Sequence, residues 1–194
     1  MTQATDEILT PRLRLRALRE ADADALVRLA GDRAVADTMI SVPHPFTDAH
    51  AADWIERYGA DAPPGPHRYF AATSAADGAL VGLVALRDID EEHAQAELSF
   101  WIGRDHWGRG LAREAGAAVL AWGFDSLGLN RIVAFHMVRN AASGRVLAAL
   151  GFANEGLLRE RVRKWGKYED VYCWALLRRE WTAPGVPAPV RPPG

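Results

Sequence analysis

Near its middle the chain contains the segment Ala94-Gln-Ala-Glu-Leu-Ser-Phe-Trp-Ile-Gly103, followed directly by Arg104-Asp-His-Trp-Gly-Arg-Gly-Leu-Ala112. Apolar and polar residues alternate through the first part, and an alternation of this length predicts a β-strand. In the second part, Gly108 and Gly110 precede a helical pattern. A strand that leads through glycines into a helix presents free backbone N–H groups at the positive end of a helix dipole. This arrangement is typical of a phosphate-binding loop.

Composition limits the class of protein. A chain of 194 residues with 49% apolar content fits one globular domain. Lys and Arg (23) nearly balance Asp and Glu (25), so charge gives no argument for binding nucleic acid or a membrane surface. Cys173 is the single cysteine, which excludes an intrachain disulfide and a cysteine-based zinc site. With neither a signal-peptide pattern nor a long apolar run, we expect a cytoplasmic protein.

The order of predicted elements indicates the fold class. Strands are predicted at residues 13–17, 69–74, 80–87, 94–102 and 131–138, with two more around the turn Trp165-Gly-Lys167. Helices are predicted at residues 20–31, through Val35, from Thr47 through Ile55, at 111–127, and after Asn140 as far as Gly151. We therefore expect an α/β fold of the α+β type. Its mixed, mostly antiparallel sheet of about seven strands would carry helices on both faces. Residues 1–181 would form one domain, and the proline-rich residues 182–194 a disordered tail.

The glycine loop does not match the common nucleotide-binding motifs. A dinucleotide fingerprint requires a third glycine, where this chain has Arg113. A P-loop requires Gly-Lys-Ser/Thr, which does not follow Gly110. On its pattern alone, a loop that only caps the next helix remains an alternative.

The segments around the loop carry a more specific signal. They are Ala96-Glu-Leu-Ser-Phe-Trp-Ile-Gly103, Trp107-Gly-Arg-Gly-Leu-Ala-Arg-Glu-Ala115, Asn130-Arg-Ile132, and Asn140-Ala-Ala-Ser143 leading to Val146-Leu-Ala-Ala-Leu-Gly-Phe152. In this order they resemble the GNAT (GCN5-related N-acetyltransferase) family, from Thr10 to Trp181. Thr10-Pro-Arg-Leu-Arg-Leu-Arg16 and Gly166-Lys-Tyr-Glu-Asp170 resemble its RimJ/RimL branch. The family's loop usually begins with Gln or Arg, where this chain has Asp105. That departure affects a side-chain contact and leaves the backbone N–H groups unchanged.

The resemblance implies acetyl-CoA as cosubstrate, no metal, and an amine acceptor that is a protein N-terminus or a small molecule. It also implies that the strand at 94–102 diverges from the strand at 131–138 to admit the pantetheine arm, with a bulge expected between Ser99 and Trp101. The backbone N–H groups from Trp107 to Ala112 would hold the pyrophosphate. The cofactor contacts implied are Phe100, Trp101, Ile102, Trp107, Gly108, Arg109, Gly110, Leu111, Ala112, Asn140 and Ser143.

The chemistry requires a neutral amine and a group that removes its proton. At pH 7 about one tenth of an α-amine is neutral, against about one part in 2,500 of a lysine, so an N-terminal or small-amine acceptor is favoured. Glu97 is the candidate base and Ser143 the candidate acid for the leaving thiolate. Tyr168 and Asp170 are candidates for the acceptor pocket. For each an alternative stays open: a salt-bridged Glu97, a solvated Ser143, an Asn140 that only caps its helix, and an Asp170 that only pairs with an arginine.

Several alternatives of function also remain. One alternative is an acyltransferase that uses a larger acyl-CoA such as succinyl-CoA. Another is a CoA-binding module without catalytic activity. The six histidines lack metal-site spacing, although His136 shares a strand face with Ile132 and Ala134 and would approach the slot. The sequence does not specify the oligomeric state, and a homodimer whose partner subunit completes the pocket is one arrangement we consider.

Overall fold

The computed structural model describes residues 7–182, which contain one eight-stranded sheet in the order β1-β2-β3-β4-β5-β6-β8-β7. The strands are β1 Ile8–Leu9, β2 Leu13–Arg16, β3 Arg68–Ser74, β4 Leu80–Asp90, β5 Gln95–Ile102, β6 Arg131–Met137, β7 Ala153–Lys164 and β8 Lys167–Leu177. Every pair is antiparallel except β5–β6. The mixed, mostly antiparallel sheet is confirmed. The eighth strand, β1, has two residues and is too short to produce an alternating pattern. Of the tail predicted to be disordered, residues 182–194, all but Thr182 lie outside the described range.

Within residues 7–182, five α-helices cover the two faces of the sheet. They are α1 Ala23–Ala30, α2 Arg33–Thr38, α3 Asp48–Tyr58, α4 Leu111–Asp125 and α5 Ala141–Ala149. Helices α4 and α5 pack on one face, and α1, α2 and α3 pack on the other. Within residues 7–182, no helix is long and apolar enough to cross a membrane.

The alternation in β5 corresponds to the two hydrophobic cores. Ala96, Leu98 and Ile102 are buried in the core beneath α4 and α5. Trp101 is buried in the other core, among the residues of α1, α2 and α3. The predicted division of this strand into two faces is confirmed, with apolar side chains on both because helices cover both sides of the sheet.

The sheet divides between β5 and β6. These parallel strands pair only at Gln95–Arg131, Ala96–Ile132 and Glu97–Val133. Beyond that point β5 stays paired with β4, and β6 with β8. The bulge expected between Ser99 and Trp101 is wrong, because β5 keeps continuous register with β4 there. The register shift lies instead between Arg87 and Asp90. The two strands diverge while each keeps its other neighbour.

A buried ion pair fixes the chain where it leaves β2. Arg16 Nη1 and Nη2 donate to the Asp22 carboxylate at 2.7 and 2.8 Å, and the Arg19 N–H donates to it at 2.9 Å. The Asp22 side chain is 7% exposed. Burial alone would raise the pKa of Asp22, but these donors and the positive charge of Arg16 hold it below its ordinary value.

We predict that Asp22→Asn lowers the free energy of unfolding by about 2 kcal/mol at neutral pH, because it leaves a charged guanidinium without its partner. A carboxylate with a lowered folded-state pKa stabilises the fold above its unfolded pKa and loses that effect as the pH falls. Thermal unfolding at pH 7 and in acid should therefore show a difference that shrinks in acid. The exposed Asp24→Asn is the control and should match wild type; an equal loss at both pH values would contradict the assignment.

Candidate active site

A cavity of about 730 Å³ lies where β5 and β6 separate, and we call it the cleft. It is lined by β5 from Glu97 onward, the loop and first turn of α4, α5, and residues 38–41 at the end of α2. Residues 134–136 of β6 and single or paired positions of β4, β7 and β8 complete the lining. A volume of this size suits a large organic ligand.

The loop before α4 is a backbone cradle that opens into solvent. Gly108 and Gly110 both have φ of 74°, a left-handed conformation that favours glycine. A Cβ at Gly108 would meet nothing within 4 Å, and one at Gly110 would meet only Arg12 Nη2, at 3.6 Å. In residues 7–182, no acceptor pairs with the backbone N–H groups of residues 108–113. These donors, at a helix N-terminus, are suited to binding a phosphate group.

Arg12 holds the cradle in place, a role that sequence reasoning missed. Its Nε donates to Glu114 Oε2 at 2.6 Å and its Nη1 donates to the Arg109 carbonyl at 2.8 Å. The Thr10 hydroxyl donates to Glu114 Oε1 at 2.6 Å. Burial would raise the pKa of Glu114, but these hydrogen bonds hold it below its ordinary value. The signal was present in the Thr10–Arg16 motif, although the partner lies about a hundred residues away.

One of the predicted loop contacts needs correction. The Trp107 N–H already donates to the Arg104 carbonyl at 3.1 Å, and its indole N–H to the Ile102 carbonyl at 2.6 Å. Trp107 therefore lines the cleft with its side chain and does not offer its backbone donor. Arg109 is not among the lining residues and its carbonyl accepts from Arg12, but its N–H is one of the unpaired donors of the cradle, so its predicted backbone contact stays a prediction.

The other predicted contacts lie around the cleft. The residues that line it are Phe100, Trp101, Ile102, Gly108, Gly110, Leu111, Ala112, Asn140 and Ser143. Asn140 caps α5 by accepting the Ser143 N–H at 3.2 Å, as predicted. Its amide also donates to the Thr38 carbonyl at 3.2 Å, which connects the start of α5 to the segment after α2.

Glu97 lies at the point where β5 and β6 separate, and it lines the cleft. Its side chain is 23% exposed, and its Oε1 is 3.6 Å from Arg87 Nη1. Burial raises the pKa of Glu97 above the ordinary value, while the charge of Arg87 opposes the rise. A carboxylate with a raised pKa in a cleft is a candidate for proton transfer.

His136 brings an unpartnered nitrogen to the cleft. Its side chain is buried, and its Nδ1 is 2.9 Å from the Met137 carbonyl. Because a carbonyl only accepts, Nδ1 carries the hydrogen, and in the neutral imidazole Nε2 then has a free lone pair. Nε2 is buried, with no hydrogen-bond partner in residues 7–182. It faces Gly144, where a Cβ would lie only 2.9 Å away. His136 therefore offers a buried hydrogen-bond acceptor.

Tyr168 and Asp170 are not among the lining residues of the cleft. Tyr168 is 64% exposed on the β7–β8 hairpin and lies beside Arg163. The Asp170 carboxylate accepts the Glu160 N–H at 2.7 Å, where the pairing of β7 with β8 is irregular. The structure thus gives Asp170 a backbone partner and brings neither side chain to the cleft.

The same hairpin holds the segment after α2 in position. The buried Lys164 donates from Nζ to the Val42 carbonyl at 2.9 Å, and burial lowers its pKa. The Trp165 ring lies 5.9 Å from that of His44. Arg139 donates to Asp37 at 2.7 Å, at the end of α2. One wall of the cleft is therefore fixed by contacts between distant parts of the chain.

Comparisons with known proteins identify the family to which this chain belongs. An acetyltransferase (GNAT) domain model matches residues 12–153. The uncharacterized N-acetyltransferase p20 of Bacillus licheniformis is 36% identical over 177 residues, covering 91% of this chain and 98% of that protein. A GNAT acetyltransferase structure from Bacillus anthracis has a TM-score of 0.80 at 24% identity, covering 90% of this chain and 100% of that one. Spermidine N-acetyltransferase from Vibrio cholerae, solved with CoA and spermine, has a TM-score of 0.77 at 27% identity, covering 88% and 98%. The chain belongs to the GNAT family and is an N-acetyltransferase.

Proposed function

We propose that this enzyme transfers the acetyl group of acetyl-CoA to a neutral primary amine by direct attack, in the cytoplasm. The observation that carries the proposal is the junction of three features in one cleft: the phosphate cradle, the unpaired edge of β5, and the half-buried Glu97 between them. The Vibrio cholerae relative that was solved with CoA supports the identity of the ligand.

The residues of the cleft suit the pyrophosphate and the pantetheine arm of CoA. The N–H groups of residues 108–113 would hold the pyrophosphate, and Arg113 and Arg145, which line the cleft, supply positive charge. The backbone edge of β5 from Leu98 to Ile102 has no partner on the β6 side in the described chain. Such an edge pairs readily with a peptide-like chain, and the amides of pantetheine are of this kind.

Acetyl-CoA, when bound, supplies the thioester carbonyl that is attacked and the thiolate that leaves. Glu97 would accept the proton that the amine loses, either directly or through a water. Ser143, in the first turn of α5, would donate a proton to the thiolate. His136 Nε2 would accept a hydrogen bond from a water or donor group beside them. The acceptor is a protein N-terminus or a small-molecule amine, and an α-amine needs the least help from a base because about one tenth of it is neutral at pH 7.

We predict that Gly110→Glu abolishes CoA binding, because its side chain and charge would occupy the cradle. Gly78→Glu is the matched control, since Gly78 has φ of 75° and equally open surroundings but lies in the β3–β4 turn. Gly78→Glu introduces the same backbone strain and the same charge as Gly110→Glu. Calorimetry should detect CoA binding in wild type and Gly78→Glu alone. Wild-type affinity in Gly110→Glu would exclude the cradle as the phosphate site.

We predict that Glu97→Gln reduces kcat by about 100-fold or more while the affinity for CoA is unchanged. Burial raises the pKa of Glu97. As the pH is lowered, wild-type kcat/KM should therefore fall where Glu97 becomes protonated, at a higher pH than for an exposed glutamate. Glu97→Gln should lack this fall, and the exposed Glu91→Gln should retain it. Unchanged turnover in Glu97→Gln would show that Glu97 is not the base. Turnover by the wild-type protein would exclude the alternative of a non-catalytic CoA-binding module.

A further inference from the structure

The charged side chains lining the cleft are strongly unbalanced. Among the lining residues in the described part of the chain, Glu97 is the only carboxylate, whereas four are arginines. The arginines are Arg87, Arg113, Arg145 and Arg161. Carboxylates form the strongest charge-assisted hydrogen bonds with ammonium groups, and this cleft offers one carboxylate among its described lining residues.

The arginines fall into two pairs by position. Arg113 lies in the first turn of α4 and Arg145 in α5, beside the cradle, where CoA phosphates would neutralise them. Arg87 on β4 has its Nη1 3.6 Å from Glu97 Oε1, and Arg161 on β7 lines the same cleft as Glu97. This second pair therefore lies where the acceptor amine must approach its base.

Arg87 and Arg161 keep hydrogen-bond donors available. Arg87 reaches Glu97 only at 3.6 Å, and its Nε is buried without a partner in residues 7–182. Arg161 is exposed, and no side chain within the same residues forms an ion pair or hydrogen bond with it. Asp88 also acts on Glu97, but it lies outside the lining, 3.9 Å from His67. The two arginines carry two positive charges and Glu97 carries one negative charge, so one positive charge has no counterpart among these three side chains.

We propose that the acceptor is a primary amine carrying a nearby anionic group, a carboxylate or phosphate, and that it is not a polyamine. The amine would lie at Glu97 and the anion at Arg87 and Arg161, which match planar oxyanions through their paired donors. This inference rests on the proposed function. It separates this chain from the relative that was solved with spermine.

The test compares acceptors that differ only in the anion, at saturating acetyl-CoA. One pair is the peptide Ser-Asp-Ala amide and Ser-Asn-Ala amide, and the other is O-phosphoethanolamine and ethanolamine, with spermidine beside them. The first pair represents a protein N-terminus and the second a small molecule. We expect the anionic member of at least one pair to have about tenfold higher kcat/KM, as a charged hydrogen bond provides, and spermidine to fall below it.

Two variants locate the effect. Arg161→Gln should remove the preference by raising KM, with kcat nearly unchanged, whereas Arg159→Gln, on the same strand but outside the cleft, should keep it. Arg161→Glu should reverse the preference and increase turnover of spermidine.

Equal rates within both pairs, or spermidine as the best acceptor, would overturn the inference and leave the acetyltransferase intact. A wild-type preference for succinyl-CoA that Arg161→Gln removes would also overturn it, because the arginines would then serve the acyl donor. Absence of turnover with every acceptor, together with absence of CoA binding by calorimetry, would instead refute the proposed function itself.

Discussion

The parallel pairing of β5 with β6 lasts for three residues, and the site depends on how these strands part. Each strand keeps its other neighbour, so the sheet stays intact while two backbone edges face a cavity. Buried backbone polar groups require partners, and the amides of the proposed cosubstrate would supply them. Glu97 occupies the last paired position of β5, so the geometry that opens the cleft also places a carboxylate at its apex.

The cleft is built from local loops held by long-range contacts. Arg12 fixes the cradle through Glu114 and the Arg109 carbonyl, and Lys164 fixes the opposite wall through Val42. Pre-organised donors bind a ligand without first having to be ordered, which lowers the cost of binding. Glu97 shows the opposite tendency, since burial of its carboxylate disfavours the charged form that its proposed role requires. Such a conflict is common at functional sites.

The sequence predicted the two faces of β5 and the strand–glycine–helix cradle, because both depend on short-range patterns. It did not predict that Trp107 uses its N–H within the preceding turn, or that Tyr168 and Asp170 lie away from the cleft. These outcomes depend on turn geometry and on the pairing of β7 with β8, which spacing does not encode. The expected bulge failed for the same reason, since the register of β5 against β4 is a tertiary property. Arg12 was quoted in a motif, but its distant partner gave no local signal.

Hydrogen exchange of individual backbone amides, with and without acetyl-CoA, shows directly whether the cradle and the open edge of β5 bind the cosubstrate. We expect acetyl-CoA to slow exchange of the free N–H groups from Gly108 to Arg113 and of the β5 amides that face β6. The exchange rates in the turn at Gly78 should not change. Protection confined to other segments, or no protection in the cradle at saturating acetyl-CoA, would contradict this prediction.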